Sequence, residues 1–194
     1  KESTAYTLIH MEPEEQFQNN PALGIAYDTT DERQIPVWRI ESEEQMAEPF
    51  PCTTLNQSAN GYCVRWQGAD TPRLRVGELL GIQSDNQLFN IGVSRWLKHI
   101  PGEGLNVGME LISPSATPVF ARLEDTSPDE SPRRDCLLLP GLEASGRPAT
   151  LILPALPFKT GDRLSVEADD QQRLVLLTEL VEATGSFARF QFRY

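Results

Sequence analysis

Apolar and more polar residues alternate with a period of two along most of the chain after residue 56. The alternation is clearest at Tyr62, Val64 and Trp66, which are separated by Cys63 and Arg65. The same pattern recurs over further segments: residues 89–96, 105–111, 149–153, 163–167, 173–181 and 187–193. Successive side chains of a β-strand point to opposite faces, so this period predicts a series of strands.

Short segments rich in glycine, proline, aspartate and asparagine separate the predicted strands of the first half, at residues 70–73, 84–87 and 101–104. These residue types are the ones that tight turns require. The strands are therefore expected to be short, sequential and antiparallel. We predict an all-β protein made of two tandem small antiparallel β-barrels or sandwiches.

Two acidic segments suggest where these units begin and end. The first 50 residues are acidic and interrupted by proline, and only one strand is expected there, near residues 34–41. Residues 124–132 combine acids with serine and proline, which is typical of a surface linker. The predicted organisation is an acidic N-terminal segment at 1–32, a first barrel at 33–122, a linker at 123–132 and a second barrel at 133–194.

The two predicted barrels also resemble each other in sequence. Laying Cys136 over Cys52 in a single ungapped alignment also places Gly161-Asp162 on Gly77-Glu78 and the strand at 173–181 on residues 89–97. The unit that this alignment implies is too long for a solenoid repeat of about 20 to 50 residues. It suits two related barrels in tandem.

Charge and cysteine usage narrow the class of protein. The formal net charge is −11 at pH 7, which opposes binding to nucleic acid or to anionic lipid. No apolar run approaches the roughly 20 residues that span a bilayer, so we expect no membrane insertion. The three cysteines lack CxxC spacing, which argues against a disulfide framework and a metal site and favours a cytoplasmic location.

Catalysis has little support in the sequence. The two histidines, His10 and His99, lie in different regions, without a nucleophile motif or metal-binding spacing. Paired carboxylates of the glycosidase type remain an alternative, because the acids of residues 125–130 and Asp169-Asp170 have a separation that sequence does not reveal. We predict a non-catalytic protein with no cofactor.

A polar segment, Asn56-Gln57-Ser58-Ala59-Asn60-Gly61, lies between two strand patterns and predicts a turn. Its short side chains favour local hydrogen bonds to the backbone, and its glycine permits a positive φ. Such a turn either presents hydroxyl and backbone N–H groups to a ligand or simply connects two strands.

In their order along the chain, this NxSxxG segment and the patterns that follow it resemble the PilZ domain. Those patterns are the strand at 62–66, the Gly77-Glu78 turn, and the strands at 91–96 and 107–111. The family is a six-stranded barrel of bacterial regulators, many of which bind cyclic di-GMP, and the resemblance covers about residues 33–112. It implies a regulatory binding module whose ligand-binding residues are Arg33, Asn56, Ser58 and Gly61.

Two positions depart from the family pattern of an RxxxR arm followed by DxSxxG. Asn56 replaces the aspartate, which keeps a carbonyl acceptor without its charge. Thr29 stands where the first arginine of the arm is expected, so Arg33 is the single arginine suited to bidentate phosphate binding there. The candidate partner is cyclic di-GMP, and the alternative is a nucleotide-independent adaptor that binds a protein.

Basic residues of the first barrel, namely Arg65, Arg73, Arg75, Arg95 and Lys98, admit two interpretations. They form a local anion-binding patch, or they face outward opposite glutamates on neighbouring strands. The three tryptophans, Trp38, Trp66 and Trp96, lie on strand patterns, where packing in the core or at its rim is favoured over a binding platform.

For the adaptor, acidic segments are the candidate contacts. Glu41, Glu43, Glu44 and Glu48 lie close to Met46 and Phe50, and residues 124–132 add further acids. They would attract a basic partner surface, or they are solvated loops that keep the protein soluble.

Overall fold

All regular secondary structure in the described part of the protein is β-strand. The structure is a computed structural model that describes residues 3–9, 50–66, 74–83, 89–124, 132–142, 146–168 and 171–194, with the backbone alone described at residues 3–9, 50 and 89. The strands form two closed six-stranded barrels. The predicted all-β class and the tandem of two small barrels are confirmed.

The first barrel is antiparallel throughout. Its strands are β1 (Ser3–Ile9), β2 (Phe50–Ser58), β3 (Gly61–Trp66), β4 (Leu79–Gln83), β5 (Phe89–Ile100) and β6 (Gly104–Ser113). Around the barrel they follow the order β1-β2-β3-β6-β5-β4.

The second barrel repeats this topology strand for strand. Its strands are β7 (Thr117–Leu123), β8 (Arg134–Leu139), β9 (Thr150–Pro154), β10 (Arg163–Ala168), β11 (Gln171–Ala183) and β12 (Phe187–Arg193). They follow the order β7-β8-β9-β12-β11-β10 and close in the same way, by pairing of the first and fourth strands.

The turn before the fourth strand is built alike in both barrels. The carboxylates of Glu78 and Asp162 each accept a hydrogen bond from the backbone amide three residues earlier, at 2.8 Å and 2.9 Å. The preceding residues, Gly77 and Gly161, have φ angles of 90° and 95°, a conformation that glycine adopts without strain. The sequence match at this turn therefore reflects a shared backbone structure.

The single alignment of the two halves holds as far as the fourth strands and slips by one residue after them. It places Arg163 on Leu79, the first residues of β10 and β4. Leu79 pairs with Val93, on which the same alignment places Leu177. Arg163 pairs instead with Leu176, so the hairpin after the fourth strand is one residue shorter in the second barrel. A slip of one residue reverses the face of every side chain, and the ungapped alignment therefore assigned strand β11 to the wrong faces.

Inward-facing side chains fill each barrel. The first core contains Cys52, Val64, Trp66, Leu74, Leu80, Ile82, Leu105, Val107 and Met109. The second contains Val119, Ala121, Cys136, Leu151, Leu153, Phe158, Leu164, Val166, Val175, Leu177, Ala188 and Phe190. Burial of each large apolar side chain stabilises the fold by about 1.5–3 kcal/mol.

A third apolar cluster joins the two barrels. It consists of Leu79, Ile91, Val93 and Ile112 from the first barrel and Leu139, Ile152 and Phe187 from the second. All seven are buried, and only residues 114–116 lie between strands β6 and β7. We call this cluster the inter-barrel core.

Strand β1 corrects the prediction that residues 1–32 lie outside the barrels. Ser3–Ile9 pairs with both β2 and β4 and closes the first barrel. Its β-branched and aromatic residue types favour a strand, and the surrounding acidic composition concealed this signal. The strand predicted near residues 34–41 lies outside the described residues.

Strand β7 corrects the boundary between the barrels. The sequence places residues 33–122 in the first barrel and a linker at 123–132, whereas Thr117–Leu123 pairs with β8 and β10 of the second barrel. The acidic segment that begins at Glu124 therefore connects two strands of one barrel. A composition typical of exposed loops does not distinguish a turn within a domain from a link between domains.

No helix in the segments that the structure describes is long and apolar enough to cross a bilayer.

Candidate functional site

The NxSxxG segment forms a tight β-hairpin and is mostly strand. Strand β2 continues through Ser58, and only Ala59 and Asn60 form the turn before β3 begins at Gly61. Ser58 pairs with Gly61, and its hydroxyl donates a hydrogen bond to the Gly61 carbonyl at 3.3 Å. Asn56 and Ser58 are thus held on a strand, which positions them more firmly than a loop.

Two rows of directly paired residues cross the outside of the first barrel. The first row consists of Asn56, Cys63, Gly108 and Trp96, on strands β2, β3, β6 and β5. The second row consists of Ser58, Gly61 and Glu110. Paired residues share a face of the sheet, and the intervening residues of β3 and β6 face the core. We call the surface formed by these seven residues the NxSxxG face.

Trp96 rests on Gly108 within the first row. A side chain at position 108 would overlap the indole ring, so the ring reaches this position only because the residue is glycine. Trp96 nevertheless remains 45% exposed. A cavity of about 280 Å³ lies beside it; its lining includes Asn56, Ser58, Gly61, Tyr62, Cys63, Arg95, Met109 and Glu110.

The tryptophans therefore divide between two roles. Trp66 is 7% exposed and packs in the first core, as the sequence predicts. Trp96 packs instead on Gly108 at the outer surface of the barrel, where its ring stays partly exposed. Trp38 lies outside the described residues.

Gly61 is required by the sheet itself. A Cβ atom at this position would overlap the carbonyl oxygen of Met109 on the neighbouring strand β6. The φ angle of Gly61 lies outside the left-handed region, so a positive φ does not explain the glycine at this position. The close approach of strands β3 and β6 explains it.

Cations flank the first row. Arg65 donates through Nε to the Asn106 side chain at 3.0 Å and forms an ion pair with Glu103 at 2.5 Å. Lys98 is exposed and pairs with Asn106 on strand β6. Arg75 lies at the turn before β4, and Arg73 is outside the described residues.

Arg95 connects the NxSxxG face to the second barrel. Its Nε lies 2.8 Å from Glu110, and its Nη1 lies 2.5 Å from Glu182 on strand β11. Partial burial lowers the pKa of Arg95, but hydrogen bonds and charges from Glu182 and Glu110 outweigh it, so the pKa lies above its usual value. Both arginines pair with glutamates, as one of the two interpretations of the basic residues predicts, and both border the predicted site.

A buried serine supports this part of strand β5. Ser94 is fully buried; its hydroxyl donates to the Arg75 carbonyl at 2.6 Å and accepts from the Glu78 amide at 3.0 Å. The next residue, Arg95, is the extra residue of a β-bulge in the pairing with β6. Bulges redirect side chains, and this one places Arg95 and Trp96 together on the outer surface.

The structure brings Asn56, Ser58 and Gly61 together, while Arg33 lies outside the described residues. The ligand-binding residues predicted from the sequence do not include Trp96 or Arg95, which the sequence suggests only as a packing tryptophan and as one of five basic residues. Their exposure depends on the bulge and on the glycine opposite Trp96, and neither is visible before the strand register is known. Among the described residues, no group of three histidine, cysteine or acidic side chains is arranged to hold a metal ion. The acids considered for a glycosidase site, residues 125–130 and Asp169-Asp170, are outside the described residues.

All three cysteines are free thiols. Cys63 is half-buried in the first row, and burial raises its pKa while the charge of Arg65 lowers it, with a net rise. Burial raises the pKa of Cys52 to about 12. These thiols are therefore protonated at neutral pH.

Comparison with known proteins covers almost the whole chain. Residues 7–118 match the family described as "Cyclic-di-GMP receptor FimW, middle PilZ domain", and residues 119–194 match the "FimW C-terminal beta-barrel domain". A curated relative, the cyclic-di-GMP receptor FimW of Pseudomonas aeruginosa, is 34% identical over 159 residues, or 80% of this chain. The match covers 26% of that protein, so the chain spans about a quarter of its relative's length. No solved structure matches. The resemblance seen in the sequence is confirmed, and the chain belongs to the PilZ domain family of the FimW type.

Proposed function

We propose that this chain is a receptor module that binds cyclic di-GMP on the NxSxxG face. The relative's name supplies the ligand. The observation that carries the proposal is that the exposed Trp96 lies in one row with Asn56, with arginines on either side. A flat aromatic surface, polar side chains and cations are what a dinucleotide requires.

Trp96 is suited to hold a guanine base. Stacking of a base on an aromatic side chain stabilises a complex by about 1–3 kcal/mol. The cavity of about 280 Å³ is slightly smaller than the range of about 300–1,000 Å³ for small-molecule sites. It therefore takes one base with its sugar, while the rest of the dinucleotide lies across the outer face.

Asn56 and Ser58 add directional contacts. The amide of Asn56 both donates and accepts hydrogen bonds, and the hydroxyl of Ser58 can do the same. Glu110 already places one negative charge on this face, two strands away from position 56. The neutral side chain of Asn56 adds no second negative charge. The replacement of the family's aspartate is therefore compatible with an anionic ligand.

The phosphates need the cations. Guanidinium groups bind phosphate oxygens in bidentate pairs, and Arg65 and Arg95 border the face. We assign Arg33 the same role on the strength of the family pattern.

The module binds the nucleotide without catalysing a reaction, so cyclic di-GMP incubated with the protein should be recovered unchanged. The three free thiols support a cytoplasmic location.

Calorimetric titration of the full chain with cyclic di-GMP tests the proposal. We expect saturable binding, and a rise in melting temperature because the ligand stabilises the native state. Ser58→Ala and Arg33→Ala should weaken binding without changing the circular dichroism spectrum. Absence of heat and of thermal shift at high micromolar ligand would contradict the proposal and leave the nucleotide-independent adaptor as the better account.

A further inference from the structure

We infer that Glu182, on the second barrel, sets the affinity of the NxSxxG face for its anionic ligand by competing for Arg95. The inference rests on the proposed function and extends it, because it gives the second barrel a part in nucleotide binding.

The starting point is an ion pair that crosses between the barrels. Arg95 Nη1 lies 2.5 Å from Glu182 Oε1, and these residues are 87 positions apart in the chain. The Glu182 side chain is 14% exposed, and that of Arg95 is 36% exposed. The ion pair is thus partly shielded from water, which strengthens it relative to an exposed surface pair.

Two of the three nitrogen groups of Arg95 already donate to glutamates. Nε donates to Glu110 and Nη1 donates to Glu182. A guanidinium binds an oxyanion in bidentate fashion either through Nε and one Nη or through its two Nη groups. Each of these edges includes a group that now donates to a glutamate. A bidentate contact with a ligand phosphate therefore competes with one of the two carboxylates, because it uses a nitrogen that now donates to a glutamate and brings a second anion beside it.

Glu182 has a second cation to which it can turn. Its Oε2 lies 3.7 Å from Arg189 Nη2, in a pair whose side chains are 14% and 18% exposed. Glu182 Oε2 and Arg189 Nε are both buried without a hydrogen-bond partner in the described part of the protein. Glu182 is therefore better suited than Glu110 to release Arg95, since a closer approach to Arg189 would offer a partner to the unsatisfied atoms.

The coupling must act in both directions. If Glu182 weakens ligand binding, then bound ligand weakens the contact of Arg95 with the second barrel by the same factor. That contact accompanies other links between the barrels, including the approach of Gly77 to the Thr184 side chain and the inter-barrel core. Nucleotide binding is thereby communicated to the second barrel.

The test compares the affinities of the full chain and of Glu182→Gln for cyclic di-GMP by calorimetry. Glutamine keeps the size of the side chain and removes its charge, so the variant should bind at least 5-fold more tightly, the lower end of typical coupling between sites. Glu179→Gln is the matched control, because it removes an exposed charge from the same strand. It should leave the affinity within 2-fold of the original.

Further outcomes separate the two proposals. Equal affinity of the original protein and Glu182→Gln would overturn the competition and leave the receptor function standing. Binding by Glu182→Gln alone would support the competition in its strongest form. Failure of both to bind would overturn both proposals. In an Arg95→Ala background the Glu182→Gln substitution should no longer change affinity, and a persisting gain would mean that the charge acts without Arg95.

Discussion

Trp96 and Gly108 pair directly across strands β5 and β6, and the indole ring occupies the space that a side chain at position 108 would fill. The ring of Trp96 packs closely on the outside of the barrel because Gly108 has no side chain to exclude it. The pair makes a flat and partly exposed surface beside Asn56 and Ser58. Its role in ligand binding is open to direct tests.

Removal of the indole should weaken binding of cyclic di-GMP. Trp96→Ala loses a stacking contact of about 1–3 kcal/mol, which corresponds to a roughly 5- to 150-fold higher Kd. Calorimetry measures the change. Leu174→Ala, which removes another exposed apolar side chain from the second barrel, should leave the Kd unchanged. An unaltered Kd in Trp96→Ala would show that the base binds elsewhere.

Gly108→Ala should displace the indole without removing it. The added methyl group overlaps the ring, so the side chain of Trp96 must move outward and binding should weaken. Tryptophan fluorescence should shift to longer wavelength as the ring becomes more exposed. Gly185→Ala is the matched control, since a Cβ atom there meets nothing within 4 Å. A normal spectrum and normal affinity in Gly108→Ala would contradict the arrangement.

Gly61→Ala should act on stability. Its methyl group overlaps the Met109 carbonyl, and a backbone atom moves less easily than a flexible side chain. Forcing extra atoms into a packed region costs about 1–3 kcal/mol. Urea unfolding measures this loss against Gly185→Ala. Were Gly61→Ala as stable as the original protein but unable to bind ligand, the glycine would be a ligand contact instead.

Ser94→Ala should destabilise the first barrel by about 1–3 kcal/mol, the cost of leaving a buried polar group unsatisfied. The substitution deprives the Arg75 carbonyl and the Glu78 amide of the Ser94 hydroxyl. Since the same serine lies beside the bulge, ligand affinity should fall as well. Thr178→Ala, at an exposed position on β11, is the control and should be neutral in both measurements.

The inter-barrel core should make the two barrels unfold together. Phe187→Ala removes a fully buried ring of the second barrel and should cost about 3–5 kcal/mol. All three tryptophans precede β7, so their fluorescence reports on the first part of the chain alone. The fluorescence midpoint in urea should fall together with the circular dichroism midpoint. A fluorescence midpoint that stays constant would mean that the barrels unfold independently.

The alternation of apolar and polar residues was sufficient to predict two tandem antiparallel barrels, because a strand with one buried face has an apolar residue at every second position. Register was harder to predict. The hairpin after β10 is one residue shorter than that after β4, and no composition signal marks the difference. Strand β7 was assigned to the wrong barrel. The acidic, loop-like segment follows it whether β7 ends the first barrel or begins the second, so composition does not distinguish the two.

In the candidate site, too, residue types were predicted better than features that depend on strand register. The segment from Asn56 to Gly61 was identified from its residue types, and these residues do lie together. The sequence suggested Arg95 only as one of five basic residues and Trp96 only as a packing residue, because their outward positions depend on a bulge and on pairing with β6. The contact of Arg95 with Glu182 joins residues 87 positions apart and follows only from packing of the two barrels.

The most direct test of the central claim is an NMR titration of the isotope-labelled full chain with cyclic di-GMP. If the ligand binds on the NxSxxG face, the largest shifts should occur at the amides of residues 56–63, 95–96 and 108–110 and at the indole N–H of Trp96. Shifts confined to the second barrel, or none at saturating nucleotide, would contradict it.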